Sequence, residues 1–281
     1  MAMELSHKQS RLERRLRELG SVLVAYSGGV DSAYLAWSAQ QVLGDAMLAV
    51  LADSPSLARR HLAEAVTFAE RHGIPLQILR TAEMENADYV RNDIQRCFHC
   101  KNELFTVMSA ARERLGFAHL AYGMNLDDRG DFRPGQNAAR QHGVIAPLVE
   151  ADLTKDDIRT LARAAGLEAW DKPASACLSS RLAYGQAVSR EGLNRIEQSE
   201  DYLYGLGFRQ FRVRDHGEIA RIEIDRREMA GALTPGMMEE LSKKFKMLGF
   251  QYVTLDCEGY RSGSLNETLS ASTLSHANRL S

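Results

Sequence analysis

The sequence predicts an α/β protein, with a parallel sheet covered by helices on both faces and a small α+β domain after it. Strand-like and helix-like segments alternate through the first two-thirds of the chain, as in proteins built around a parallel sheet. After about residue 185, two segments alternate apolar and polar residues, which is typical of half-buried strands. We therefore predict domains at residues 1–184 and 185–262, and a mobile tail at 263–281.

Apolar runs and helical periodicity define the elements of the first predicted domain. The predicted strands are 22–26, 46–51, 75–79 and 118–122. The predicted helices are 33–43, 54–72, 101–115 and 154–166. Ser54 and Pro55 predict a helix start, because Pro is favoured in the first helical turn. In such sheets, ligands bind beyond the carboxyl ends of the strands.

The second predicted domain combines helices with a hairpin. Its predicted elements are a helix at 189–206, strands at 207–214 and 218–224, a helix at 227–248 and a strand at 252–255. Asp215, His216 and Gly217 form the predicted hairpin turn.

Composition narrows the class of protein. The chain has 281 residues, 44% hydrophobic and 26% charged, with a net charge of −2. These values are ordinary for a globular protein, and no overall positive charge attracts nucleic acid. No apolar run has membrane-spanning length, and the first residues lack a signal-peptide core. Four cysteines without a secretion signal indicate a reducing compartment. We expect a cytoplasmic protein without a membrane or nucleic-acid partner.

The segment SGGVDS, residues 27–32, lies between the first predicted strand and a helix. A glycine-rich turn there collects backbone N–H groups and the positive end of the helix dipole around one point, which suits an anion. Asp31 is placed to hold a divalent cation against phosphate oxygens. The alternative is a tight turn of small residues without a ligand. Asp53, Gly123 and Asp127 follow other predicted strands and fall at the same edge of the sheet. We therefore predict a phosphate-binding site formed by Ser27, Gly28, Gly29, Asp31, Ser32, Asp53, Gly123 and Asp127.

Three cysteines have the character of ligands or nucleophiles. Cys97 and Cys100 form a CxxC pair, whose spacing fits one metal or cluster but needs further ligands. Lys172 and Arg181 lie near Cys177 in sequence, and nearby cations favour a thiolate. Three thiolates suit a 4Fe–4S cluster with one open iron. Alternatively, the CxxC is a redox-idle pair or part of a zinc site.

Three further residues have a predicted role in the site or in the core. Arg212 and Arg214 alternate along one predicted strand, so their side chains share a face. Two guanidiniums on one face suit a phosphate or carboxylate, and the alternative is an exposed basic strand. Cys257 follows an apolar strand and is predicted to pack in the core.

The segment SGGVDS resembles the PP-loop of the N-type ATP pyrophosphatases, which cleave ATP between the α and β phosphates. With RCFHCK, GMNLDDRGDFRPG, WDKPASACLSSR, RQFRVRDHGEIARIEI and LDCEGYRSGSLNE in this order, nearly the whole chain resembles the LarE-type sulfur transferases. The resemblance implies an adenine nucleotide alpha hydrolase-like fold. It also implies adenylation of a carboxylate of pyridinium-3,5-biscarboxylic acid mononucleotide and its conversion to a thiocarboxylate, in the synthesis of the nickel-pincer nucleotide used by lactate racemase.

The same resemblance implies roles for individual residues. Cys177 would donate its own sulfur and become dehydroalanine, or would join the CxxC in holding a 4Fe–4S cluster that carries a sulfide. Arg212 and Arg214 would bind the mononucleotide phosphate, with Arg181 and Ser180 as further substrate ligands. Glu200 would help to bind a divalent cation near the site of the second domain, and Asp31 would bind one at the glycine turn. ATP, Mg²⁺, a homo-oligomer and a sulfide donor are also implied.

Three other functions compete with this interpretation. A PP-loop tRNA thiolase with a three-cysteine cluster would be expected to show a basic surface or zinc modules, which the composition does not indicate. An amidating synthetase has no need for Cys177 or the CxxC. An ATP sensor or iron–sulfur carrier would bind ATP without releasing pyrophosphate.

Overall fold

The computed structural model describes residues 2–129, 134–173 and 176–261, so the predicted mobility of 263–281 concerns residues outside it. Contacts divide the chain into two compact units. The first unit is Met1–Glu83 with Cys97–Ser175, and the second is Met84–Arg96 with Ala176–Ser281. Residues 84–96 therefore group with the second unit, which no sequence pattern indicated. The division into domains 1–184 and 185–262 stays a prediction.

A four-stranded parallel sheet forms the centre of the first unit. Its strands are β1 (Val22–Ala25), β2 (Met47–Asp53), β3 (Leu76–Arg80) and β4 (His119–Tyr122). The order is β3-β2-β1-β4. The chain thus runs outward from β1 to β3 and then crosses back to β4. Such a switch point, at the carboxyl ends of β1 and β4, is where sheets of this kind bind ligands.

Helices cover both faces of this sheet. Over both units, the helices of the described residues are α1 (Ala2–Leu19), α2 (Val30–Leu43), α3 (Arg59–Arg71), α4 (Ala87–Val90), α5 (Arg96–Leu115), α6 (Pro134–Gln141), α7 (Pro147–Glu150), α8 (Lys155–Ala164), α9 (Arg190–Gly205), α10 (Met229–Ala232) and α11 (Pro235–Met247). Alternate residues of β1 enter different apolar clusters. Val24 joins a cluster with Leu16 of α1, and Leu23 joins one with Phe105 of α5. The predicted α/β fold with helices on both faces is confirmed.

One predicted helix boundary in this unit is wrong for a physical reason. The helix expected from Ser54 begins at Arg59. The Ser54 hydroxyl donates to the buried Glu83 carboxylate and accepts the Ser56 N–H at 3.0 Å. These bonds close a turn in place of the first helical turn.

The second unit has a three-stranded sheet of β5 (Phe211–His216), β6 (Ile219–Ile224) and β7 (Tyr252–Leu255). The strands β5 and β6 form an antiparallel hairpin, as predicted, but its turn is residues 217–218, because Asp215 and His216 are paired residues of β5. The strand β7 pairs with β6 in parallel. The prediction of one helix at 227–248 is wrong. Two helices, α10 and α11, lie within this range, because Thr234 caps a new helix and Pro235 occupies its first position. Across the described ranges, no helix is both long and apolar enough to span a bilayer.

Candidate functional site

The glycine turn of the first unit follows β1 directly. Gly28 has a φ of +72°, and a Cβ there would lie 2.7 Å from the Cβ of Ala65. Only glycine combines this conformation with this closeness. Gly29 is the N-cap of α2 and makes no side-chain cap hydrogen bond. The first N–H groups of α2 therefore remain as donors for an anion.

The two serines of the turn have different positions. Ser32 is buried, and its hydroxyl donates to the Gly29 carbonyl and accepts the Ser27 N–H, both at 3.1 Å. The Ser27 and Ser32 hydroxyls are 3.1 Å apart. Ser32 thus fixes the shape of the turn. Ser27 is exposed, so it is the hydroxyl placed to reach a ligand.

Gly123, at the end of β4, lies against the same turn. A Cβ on Gly123 would be 2.7 Å from the Ser32 nitrogen and 2.9 Å from its Cα. The backbone after β4 therefore forms one wall of the turn, which any side chain at this position would fill. Gly123 and the 27–32 segment meet at the switch point of the sheet, as the sequence predicts.

Asp31 has the properties of a cation ligand. Its Oδ2 accepts Lys155 Nζ at 2.5 Å. Among the described residues, its buried Oδ1 meets no donor with hydrogen-bond geometry. Burial raises the pKa of Asp31 more than Lys155 and the nearby Asn125 lower it. A half-buried carboxylate with one oxygen that accepts no hydrogen bond from the described residues, next to a turn suited to phosphate, fits Mg²⁺.

The other two predicted carboxylates have structural partners in this unit. Asp127 Oδ2 accepts the Lys155 N–H at 2.8 Å, and so joins the loop after β4 to the start of α8. Asp53, the last residue of β2, forms an ion pair with Arg59. Whether either also contacts a nucleotide stays a prediction.

A groove of about 640 Å³ opens beside the glycine turn and is lined by Gly28, Glu64 and Lys172. Lys172 Nζ lies 2.9 Å from Glu64 Oε2. The same nitrogen is 3.9 Å from the position of a Cβ on Gly28. We expected Lys172 to act on Cys177, its neighbour in sequence. Its contacts within the first unit are instead with Glu64 and the turn.

Cys177 begins a short 3-10 turn in the second unit and is half-buried. The Ser179 hydroxyl is 3.1 Å from its sulfur. Burial opposes the thiolate, but Arg96, the Ser179 hydroxyl and Arg181 outweigh it. The pKa of Cys177 therefore lies below the usual value of a thiol. The predicted tendency toward thiolate is supported, with Arg96 rather than Lys172 as the main cation.

Arg96 was not among the predicted site residues. It is 4% exposed, and its Nη1 donates to Asn92 Oδ1 at 2.6 Å and to the Ser179 carbonyl at 2.9 Å. Asn92 in turn donates to the carbonyls of Ala183 and Gln186, both at 2.8 Å. Apart from the position of Arg96 next to the CxxC, no sequence signal indicates this role.

Arg181 and Glu200 form a buried bidentate ion pair, with N–O distances of 2.9 and 3.0 Å. Glu200 Oε1 also accepts the Val213 N–H at 3.1 Å. Burial works against the charged carboxylate, but Arg181 and then Arg212 hold the pKa of Glu200 below its usual range. Both oxygens of Glu200 thus accept protein donors. Its predicted role as a cation ligand would require these bonds to open.

Arg212 and Arg214 share a strand but have different surroundings. Arg214 donates to Glu223 Oε2 at 2.8 Å and to the Ser180 carbonyl at 3.0 Å. Arg212 is half-buried and lies 5.0 Å over the Tyr260 ring. Burial, Arg181 and Arg214 lower the pKa of Arg212.

We call Arg96, Arg181, Arg212 and Arg214 the arginine cluster. Glu200 pairs with Arg181, and Glu223 pairs with Arg214 and Arg221. The cluster lies around the Cys177 turn, since Arg181 donates to the Cys177 carbonyl and Arg214 to that of Ser180. Guanidiniums are the side chains that bind phosphate and carboxylate groups most specifically.

Cys97 and Cys100 lie in the first turn of α5, where a spacing of three residues places them on one face. Cys97 is exposed and Cys100 half-buried. No group of three or more His, Cys, Asp or Glu side chains able to hold a metal ion occurs in the described part of the chain. The pair suits part of a cluster's ligand set, but the described residues do not form a complete site. Cys257 is exposed, so its predicted core role is wrong.

Comparison with known proteins identifies the family. No protein-family model matches the chain. The chain is 35% identical over 272 residues to the pyridinium-3,5-bisthiocarboxylic acid mononucleotide synthase of Lactiplantibacillus plantarum, covering 96% of this chain and 98% of that protein. The chain belongs to the LarE-type family. Since the named relative is a synthase, the prediction of an enzyme is also confirmed.

Two further relatives cover different shares of the chain. An uncharacterized Synechocystis protein is 41% identical over 94% of this chain and 99% of its own length. A glutamine-hydrolyzing GMP synthase component of Methanococcus maripaludis is 31% identical over 161 residues, about half of each chain. The partial match is consistent with a PP-loop fold. None of these similarities tests the iron–sulfur cluster.

Proposed function

We propose that this chain is an ATP-dependent sulfur transferase. It would convert a carboxylate of pyridinium-3,5-biscarboxylic acid mononucleotide to a thiocarboxylate, a step in nickel-pincer nucleotide synthesis. The observation that best supports the proposal is the environment of Cys177, a thiol with a lowered pKa inside a cluster of arginines. Full-length similarity to a bisthiocarboxylic acid mononucleotide synthase supports the substrate.

The first half-reaction is adenylation of the carboxylate. A carboxylate oxygen attacks the α phosphorus of ATP, the bond from that phosphorus to the bridging oxygen breaks, and pyrophosphate leaves with the electron pair. The N–H groups at the start of α2 and the Ser27 hydroxyl would bind the phosphates. Asp31 would hold Mg²⁺, which neutralises phosphate charge when bound.

The second half-reaction transfers sulfur. The Cys177 thiolate attacks the acyl carbon and AMP leaves, which forms a thioester. Removal of the Cys177 α-proton and cleavage of its Cβ–S bond release the thiocarboxylate and leave dehydroalanine. The other proposed source is a sulfide on a 4Fe–4S cluster held by Cys97, Cys100 and Cys177. The CxxC spacing supports that source, and a cluster would supply sulfide without consuming Cys177.

In this proposal, the arginine cluster binds and positions the substrate. Arg212 is the more accessible of the two strand arginines and would bind the mononucleotide phosphate directly. Arg214 and Arg181 donate to the backbone of the Cys177 turn, so they would position it for the substrate. We also propose a homo-oligomer and a sulfide donor, on family membership alone.

The experiment that tests the function separates the two half-reactions. Purified protein is mixed with ATP, Mg²⁺ and the biscarboxylate nucleotide, and pyrophosphate and thiocarboxylate are both measured. Cys177→Ala should release pyrophosphate in a substrate-dependent manner and form no thiocarboxylate. Cys257→Ala, an exposed cysteine in the same unit, should behave like the unmodified protein. Thiocarboxylate from Cys177→Ala, or pyrophosphate release stimulated only by tRNA, would contradict the proposal.

Intact-mass spectrometry after one turnover distinguishes the sulfur sources. Loss of one hydrogen sulfide from the polypeptide shows that Cys177 gave its own sulfur. An unchanged mass with product formed, together with iron in protein purified without oxygen, supports a cluster-bound sulfide.

A further inference from the structure

We infer that Lys172 is a phosphate-binding residue for ATP, and that Glu64 holds it beside the glycine turn. The inference rests on the proposed function only in taking ATP as the nucleotide. Lys172 lies far from the SGGVDS segment in sequence, and the fold of the first unit brings it into the same groove as Gly28.

The glycine turn lacks a cation of its own. In a Walker A loop, a lysine follows the glycines and reaches the phosphates, but residues 27–32 contain none. Backbone N–H groups carry only partial charge, so a triphosphate gains from a full positive charge near the turn.

Lys172 is placed to supply that charge. Its Nζ lies 3.9 Å from the position that a Cβ on Gly28 would take, and both residues line the same groove. The side chain is 23% exposed, so it is accessible from the groove.

Glu64 explains how Lys172 is held there. Glu64 is next in sequence to Ala65, whose Cβ limits position 28 to glycine, so α3 brings the carboxylate to the turn. Glu64 Oε2 lies 2.9 Å from Lys172 Nζ. Burial alone would raise the pKa of Glu64, but Lys172 and two further cations bring it below its usual value. An ammonium carries several N–H donors, so Lys172 can keep Glu64 while donating to a phosphate oxygen.

Three other cations near the site also have acidic partners. Lys155 pairs with Asp31 Oδ2, Arg60 Nη1 lies 3.5 Å from Glu64 Oε1, and Arg71 pairs with the exposed Glu168. Among the described residues, Lys172 Nζ is the charged atom nearest to the position of a Cβ on Gly28.

Equilibrium binding of Mg²⁺–ATP to the full chain, without the acyl substrate, tests the inference. Lys172→Ala should weaken ATP binding about 10- to 100-fold, the usual effect of losing a charged hydrogen bond. Adenosine binding should not change, and Lys172→Arg should restore part of the ATP affinity. Lys243→Ala, which removes an exposed lysine of the second unit, should leave ATP affinity unchanged.

Glu64→Gln separates a phosphate ligand from a structural ion pair. If Lys172 binds phosphate, removing the Glu64 charge should leave ATP affinity unchanged or increase it. Equal losses in Lys172→Ala and Glu64→Gln, with equal losses in thermal stability, would overturn the inference, as would unchanged ATP binding in Lys172→Ala. Since no acyl substrate is present, a failure of the sulfur-transfer proposal would leave this result readable.

Discussion

At the scale of single residues, Arg212 and Arg214 differ in burial and in partners although they lie on one strand. Arg214 is 7% exposed and pairs with Glu223, which is fully buried. Removing Arg214 would leave the buried Glu223 with Arg221, at 3.2 Å, as an ion-pair partner. The cost should therefore lie at the lower end of the about 3–5 kcal/mol that follows from breaking a buried ion pair. Arg212 is more accessible and pairs with the Tyr260 ring and a backbone carbonyl.

We therefore expect the two alanine variants to fail differently. Arg214→Ala should lower the free energy of unfolding by about 3 kcal/mol. Arg212→Ala should change stability little but weaken binding of the biscarboxylate nucleotide about tenfold or more, with ATP affinity unchanged. Denaturant unfolding and calorimetry measure these quantities. Arg209→Ala, an exposed arginine of the same unit, is the control. Equal losses of nucleotide affinity in Arg209→Ala and Arg212→Ala would contradict the assignment.

The alternation of side chains between the two faces of a strand was enough to predict that Arg212 and Arg214 share one face. Their partners could not be predicted in the same way. Glu223 depends on the register between β5 and β6, and Glu200 comes from α9, so both contacts are set by tertiary structure.

At the scale of elements, short sequence signals predicted those helix starts that are set by hydrogen bonds between neighbouring residues. The capping signal of α8 is confirmed, because Thr154 and Asp157 exchange hydrogen bonds across the first turn. The start of α3 was predicted wrongly, because the partner of Ser54 is Glu83, 29 residues further along the chain. Lys172 and Gly28 also meet only through the fold.

Asp157 makes the stability of the protein around α8 depend on pH. Burial raises its pKa, but Lys8 and the two Thr154 hydrogen bonds bring it below the usual value. Its stabilising effect should therefore be present above the unfolded pKa, about 3.9, and be lost as pH falls through the folded value. Unfolding measured from pH 6 down to about pH 2 should show this acid loss in the unmodified protein and less of it in Asp157→Asn. Asp156→Asn, at an exposed neighbouring position, should keep it.

A substitution at Gly123 tests whether the backbone after β4 has to lie close to the glycine turn for ATP to bind. A methyl group there would lie 2.7 Å from the Ser32 nitrogen, so Gly123→Ala must displace the first turn of α2. We expect a cost of about 1–3 kcal/mol and a loss of ATP affinity. Gly231→Ala is the matched control, since a Cβ there meets nothing within 4 Å. Calorimetric ATP titration of both variants checks this, and normal ATP binding by Gly123→Ala would contradict the proposed site.

At the scale of the whole molecule, the residues proposed for the two half-reactions belong to different units. The glycine turn, Asp31 and Lys172 lie in the first unit, and Cys177 with the arginine cluster lies in the second. The alternation of strands and helices predicted the first unit well, because a parallel sheet imposes it. The membership of residues 84–96 in the second unit was not predictable, because Asn92 and Arg96 act there through contacts with residues 179–186.

The central claim is that ATP activates a substrate carboxylate, which sulfur then attacks. The most direct measurement is a single turnover with the carboxylate oxygens labelled with oxygen-18, followed by mass spectrometry of the AMP and the thiocarboxylate. If a carboxylate oxygen attacks the α phosphorus, AMP carries one labelled oxygen and the thiocarboxylate keeps the other. Unlabelled AMP formed together with the thiocarboxylate would contradict the account.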